Sequence, residues 1–196
     1  MEFEYHLTVH DLELQDQEKF ISVCEAEQVK PVMIVLDQGN YIHQPMCTGL
    51  IKCENLINVD KEIEKVANKF RDSGFEVIRK KVEISPKEDK YFHELRAKNS
   101  KPYFEWHGKI EIVVDDIPKV KNLVKNLGGH ISKNSLNKNG RVRFITIRDY
   151  ESKDRFYKRA EKIKSIVKEN KISFLKEAFE LCIYDSREEL DSGWIS

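Results

Sequence analysis

Apolar and polar positions alternate cleanly over residues 3–9 (FEYHLTV), the period of a strand with one buried face. A weaker helical pattern follows over 17–28, then a β-rich run over 30–37 closed by the turn pair Gly39-Asn40, and a short strand from Gly49 to Cys53. Residues 60–73 place Ile63, Val66, Ala67 and Phe70 on one helical stripe, with Asp60 as the expected N-cap and Gly74 as the stop. A strand over 75–84 completes the set. Residues 85–102 are polar, bracketed by prolines, and read as a connection.

The same order then returns. Residues 103–114 predict a strand, 116–127 a helix opened by Pro118 and ended by Gly128-Gly129, and 130–133 a short segment. Strands over 141–150 and 172–185 flank a helix over 152–170, whose stripe is Phe156, Ala160, Ile163 and Val167. Each half thus reads β-α-β-β-α-β, and FEYHLTV lies over FEWHGKI. The expected fold class is α+β: a tandem duplication of a ferredoxin-like unit, with antiparallel sheets carrying helices on one face. The first repeat is assigned to 1–90, the connection to 91–102, and the second repeat with a C-terminal tail to 103–196.

Alternation also sorts the chemistry. Phe3, Tyr5, Leu7 and Val9 share the face expected under the helices, and Phe104, Trp106, Ile110 and Ile112 do the same in the second half. The opposite faces carry Glu4, His6 and Thr8, and Glu105, His107 and Lys109. With the halves related by a pseudo-two-fold axis, His6 and His107 would face one another across a cleft between open sheets. Two imidazoles can divide acid and base roles near neutral pH, and Thr8 and Lys109 could hold a phosphate oxygen. Solvated strand histidines are the competing expectation.

Composition narrows the partners. The 196 residues hold 34 basic and 34 acidic side chains, so the broad positive field that duplex binding uses is missing. A nucleotide or a short single-stranded RNA in a locally basic cleft remains the expected partner. The basic helix over 152–170 is either a solvated face or a phosphate contact. The four cysteines form no C-x-x-C pair, which points to thiols, a cytoplasmic location and no structural zinc. No apolar run suits a membrane helix, and no secretory leader pattern opens the chain. Neither a glycine-rich phosphate loop nor a G-x-S-x-G elbow is present, and no metal or cofactor is called for. Gln44-Pro45-Met46 is read as a loop, and Trp194 either as a latch on the core or as a base-stacking platform.

His6-x-Thr8 in a duplicated βαβ-type chain resembles the H-x-[ST] signature of the two-histidine phosphoesterase superfamily. That resemblance implies action on phosphodiesters such as 2′,3′-cyclic or 2′-5′ linkages, with His6 and His107 as acid and base. It departs at Lys109, where Ser or Thr is expected, and at Gly108. Glu2-x-Glu4-x-His6 and Glu105-x-His107-x-Lys109 also resemble the E-x-E-x-K strand of CYTH-type triphosphate tunnel enzymes. There a divalent metal sits on glutamates, and basic strands like those of Arg79 and Lys81 or Arg141 and Arg143 bind phosphate. Across nearly the whole chain, FEYHLTV, QPM, YFEWHGK, RFITIR and the ending YDS…LDSGWI are similar to a family of proteins of about this length that implies no particular reaction. The functional expectation is therefore a phosphoesterase-like or nucleotide-binding protein. Its alternatives are a non-catalytic binding or scaffold protein and a metal-dependent triphosphate hydrolase. The candidate site is His6 and His107 with Thr8, Lys109, Glu4, Glu105, Arg143 and Trp194.

Overall fold

The computed structural model describes residues 1–54, 56–137 and 139–195. The first half runs β1 (Glu2–Val9), α1 (Asp16–Ala26), β2 (Lys30–Leu36), β3 (His43–Lys52), α2 (Leu56–Asp72) and β4 (Val77–Ile84). A 3-10 turn at Pro86–Glu88 and α3 (Lys90–Ala97) follow. The second half repeats the order as β5 (Tyr103–Glu111), α4 (Ile117–Lys125), β6 (His130–Asn134), β7 (Val142–Asp149), α5 (Lys153–Glu169) and β8 (Ser173–Asp185), and a 3-10 turn at Glu188–Asp191 ends the chain's regular structure.

The α+β class and the β-α-β-β-α-β units are as expected, but the sheets are not open. All eight strands form one closed barrel in the order β1-β3-β2-β6-β7-β5-β8-β4. Each half supplies a four-strand arc, and two antiparallel seams join the arcs. One pairs Ile34 with Asn134 and Leu36 with Ser132. The other runs from Lys81–Asp185 to Ile84–Leu181. An isolated arc would expose two unpaired edges, and closure satisfies their backbone groups. The cleft expected between open sheets is accordingly the inside of a barrel.

The apolar strand faces point outward, under the helices. Phe20 and Cys24 of α1, and Val59, Ile63, Ala67 and Phe70 of α2, share one core with Phe3, Tyr5, Leu7 and Val9. Phe156, Ala160, Ile163 and Val167 of α5 do the same for Phe104, Trp106 and Ile110. Two aromatics need glycine beside them. A Cβ on Gly49 would lie 2.4 Å from the Tyr5 ring, and one on Gly108 would lie 2.4 Å from the Trp106 indole.

Three local expectations are corrected. Gln44-Pro45-Met46 is not a loop but the start of β3. Pro45 is tolerated because β1 pairs with β3 only as far as Met46, and Met33, opposite Pro45, turns its backbone to Asn134 and Ser135 instead. Asp60 lies inside α2 and pairs with Lys80 at 2.5 Å; the residue before Leu56 falls outside the described residues. The connection over 91–102 holds most of α3, whose Phe92 ring packs 4.7 Å from that of Phe104. Among the described residues no helix is long and apolar enough to cross a membrane.

Candidate functional site

The polar face of each strand becomes the barrel interior, where Glu4, His6, Thr8, Arg79, Lys81, Glu105, His107, Lys109 and Arg148 line a cavity of about 260 Å³. Most of these charges are spent on one another. Lys81 is bonded to Glu105 and pairs with Glu83 at 2.6 Å. Glu105 also receives Arg148, whose guanidinium lies 4.5 Å over the Tyr103 ring. Arg148 continues to Asp191 at 2.6 Å, and Asp191 to Arg79 at 2.8 Å. Arg79 forms two bonds to Asp185, of 2.8 and 2.6 Å. Glu83, Lys81, Glu105, Arg148, Asp191 and Arg79 are all buried. Buried ions persist only when paired in this way.

The two histidines share this cavity and carry matching partners. His6 places Nε2 2.8 Å from Glu83 and Nδ1 2.9 Å from the Thr48 hydroxyl. His107 places Nε2 3.2 Å from Glu105 and 3.4 Å from Glu180, and Nδ1 2.8 Å from the Thr146 hydroxyl. Each threonine lies directly opposite its histidine on the neighbouring strand. The carboxylate at Nε2 favours a proton there, which orients the ring.

Electrostatics separate the groups. Burial disfavours the His107 charge, but Glu105 and Glu180 outweigh it and push the imidazole up to about 10. Burial works against Glu83 and Asp191 too, yet Lys81 and His6 bring the first down to about 2, and Arg148 and Arg79 bring the second down to about 2. Glu105 is held well below the carboxylate range by Arg148 and Lys81, against its burial. Glu4 is raised, first by burial and then by the charge of Glu180 on β8, two strands away.

A pH test follows for His107. Its folded-state affinity for the proton exceeds the ordinary 6.5, so its contribution is complete below pH 6.5 and lost as pH rises to about 10. With 32% of the side chain exposed, the expected loss is on the order of 1–2 kcal/mol. Urea midpoints from pH 6 to 10 should decline in wild type and stay flatter in His107→Gln. Equal slopes would place the proton elsewhere.

Glu105, His107 and Glu180 bring three donor atoms within 4.8 Å of one another, a set able to coordinate a cation. The sequence assigned no metal here. A metal would compete with Lys81 and Arg148 for Glu105, and would have to displace a proton from His107.

The C-terminal segment covers one end of the barrel. Asp191 accepts from Gln44 at 2.9 Å as well as from the two arginines. The Trp194 indole is buried and donates to the Ile131 carbonyl at 3.0 Å. Glu4, Thr8, Lys109 and Trp194 thus line the same cavity as the histidines. Arg143 does not: it lies on the other face of β7 and donates to Gly140 and Val142. On the basic helix, Arg155 and Arg159 turn to Asp149, and Lys164 to Glu161 and Glu177.

Fold and site define an α+β barrel with an ionic interior closed at one end. No protein-family model matches the chain, and no curated protein matches it. Among solved structures it is similar to the acetolactate synthase small subunit of Thermotoga maritima, at 14% identity over 91% of this chain and 92% of that one, with a TM-score of 0.34. A putative monooxygenase from Lactobacillus acidophilus matches at 12% identity over 93% of both chains, with a TM-score of 0.31. The siroheme decarboxylase NirDL, in complex with an iron-uroporphyrin III analogue, matches at 13% identity over 96% of this chain and 76% of its own, with a TM-score of 0.32. The barrel is defined by its own strand pairing.

Proposed function

We propose that the chain is a binding protein whose barrel takes up a small amphipathic molecule. The observation that carries this is the division of the cavity wall. Val32, Ile34, Met46 and Phe144, all half-buried, form an apolar patch on it from β2, β3 and β7. Most of the ionic and imidazole groups line it from β1, β4, β5 and β8, with Lys30 and Arg148 at the ends of β2 and β7. Ligand pockets combine an apolar wall with a few placed polar groups in this way, and about 260 Å³ suits a ligand smaller than a drug-sized one. Equilibrium titrations with small apolar-bodied probes in a Trp106→Phe background, read by Trp194 emission, should saturate. Ala178→Trp, which fills the cavity from β8, should abolish binding while the protein stays folded. Binding that survives this variant would place the ligand elsewhere.

Phosphoester cleavage is the second reading, supported by the two histidines at one cavity. His107, charged at neutral pH, would then serve as acid or anion contact, and His6, backed by Glu83, as base. Turnover of 2′,3′-cyclic nucleotides or triphosphates, tested with and without Mg²⁺ and lost in His6→Ala, would favour catalysis over binding alone.

A further inference from the structure

We infer that the open end of the barrel is an anion-receiving mouth formed by Lys30, Lys109 and Lys176, and that the ligand is an organic acid with a short apolar body. This rests on the binding reading above and names the ligand's class.

All three lysines line the cavity. Lys81, Arg79 and Arg148 inside it each hold two carboxylates. Lys30, Lys109 and Lys176, by contrast, have no carboxylate partner among the described residues. Lys109 and Lys176 are also direct cross-strand partners on β5 and β8. Like charges placed opposite one another on a sheet oppose folding, and an anion between them reverses that cost. What sets these three apart from other surface lysines is that they line one cavity and that two of them face each other across a strand pair.

Strand direction fixes their position. The tail covers the end of the barrel where β2 and β7 finish and β3 and β6 begin, through Gln44, Arg148 and Ile131. Lys30 starts β2, Lys109 lies near the end of β5, and Lys176 lies in the first part of β8. Antiparallel pairing puts all three toward the opposite end. Phe144, the cross-strand neighbour of Lys109, brings the apolar wall to the same mouth. A carboxylate or phosphate monoester held there would lay its apolar body along Phe144, Met46 and Val32.

The test is calorimetric titration of the full chain with octanoate, phenyl phosphate, octanol and octylamine. Octanoate or phenyl phosphate should bind more tightly than octanol and octylamine. Lys109→Gln and Lys176→Gln should each weaken the acid about tenfold and leave octanol unchanged. Lys158→Gln on α5, outside the cavity, should change nothing. Octanol binding as tightly as the acids, or acid binding indifferent to both lysine variants, would overturn the anion mouth and leave the binding barrel standing. Absence of binding by all four probes would overturn both.

Discussion

Replacing Glu105 with alanine is expected to destabilise the protein by about 3–5 kcal/mol. Its carboxylate is the one anion that Lys81 and Arg148 share, and it also faces His107. Removing it leaves two buried cations each short of one partner. Urea denaturation separates a dry ionic interior from a wet one. Glu105→Ala alone should show the full loss. Glu105→Ala combined with Lys81→Met and Arg148→Met should recover much of it, since a buried ionic cluster is often replaceable by apolar side chains. A loss below about 1 kcal/mol for the single variant would instead mark the interior as wet and its pairs as surface-like. The acid limb carries the same information. Glu105, Glu83 and Asp191 have depressed folded-state pKa values, so the stability they carry is complete above the ordinary carboxylate range. It is lost as pH falls toward about 2. Glu105→Ala should shallow that decline.

Much of this network was half-visible in the chain. Strand alternation sorted Glu4, His6 and Thr8 from Phe3, Tyr5 and Leu7, because a period of two is a local property. The same holds for Glu105, His107 and Lys109. What alternation cannot report is curvature: a polar face on an open sheet and one inside a barrel have the same sequence. The seams between β2 and β6 and between β4 and β8 join segments far apart along the chain and leave no periodic trace. Arg148 does carry a signal, since it shares a strand face with Phe144 and Thr146, opposite the apolar pair Ile145 and Ile147. Thr48 and Thr146 carried none, since their role depends on the register that sets each opposite a histidine. The start of β3 is illegible because Pro45 usually ends a strand; the early end of β1 and the turn of the Met33 backbone to Asn134 and Ser135 accommodate it.

Asp191 is the residue least legible in the sequence, and its removal should have the second large effect. The Asp191→Ala variant is expected to lose about 3–5 kcal/mol and to loosen the tail. Its carboxylate accepts from Arg79, Arg148 and Gln44, so one side chain ties the last turn to β4, β7 and β3. Apolar anchors assist: Leu190 and Trp194 are buried, and Gln38 donates to the Gly193 carbonyl at 2.8 Å. The two contributions separate by fluorescence, because the chain has two tryptophans. In a Trp106→Phe background the emission belongs to Trp194. Asp191→Ala should shift it to the red and raise its quenching by iodide, as the indole leaves the Ile131 carbonyl for water. Unchanged emission with a normal urea midpoint would mean that Leu190 and Trp194 hold the tail without the carboxylate. Arg79 and Arg148 would then be neutralised by Asp185 and Glu105 alone. In the loosened variant the barrel would be open at both ends, so probe dissociation should quicken even where the mouth lysines are intact.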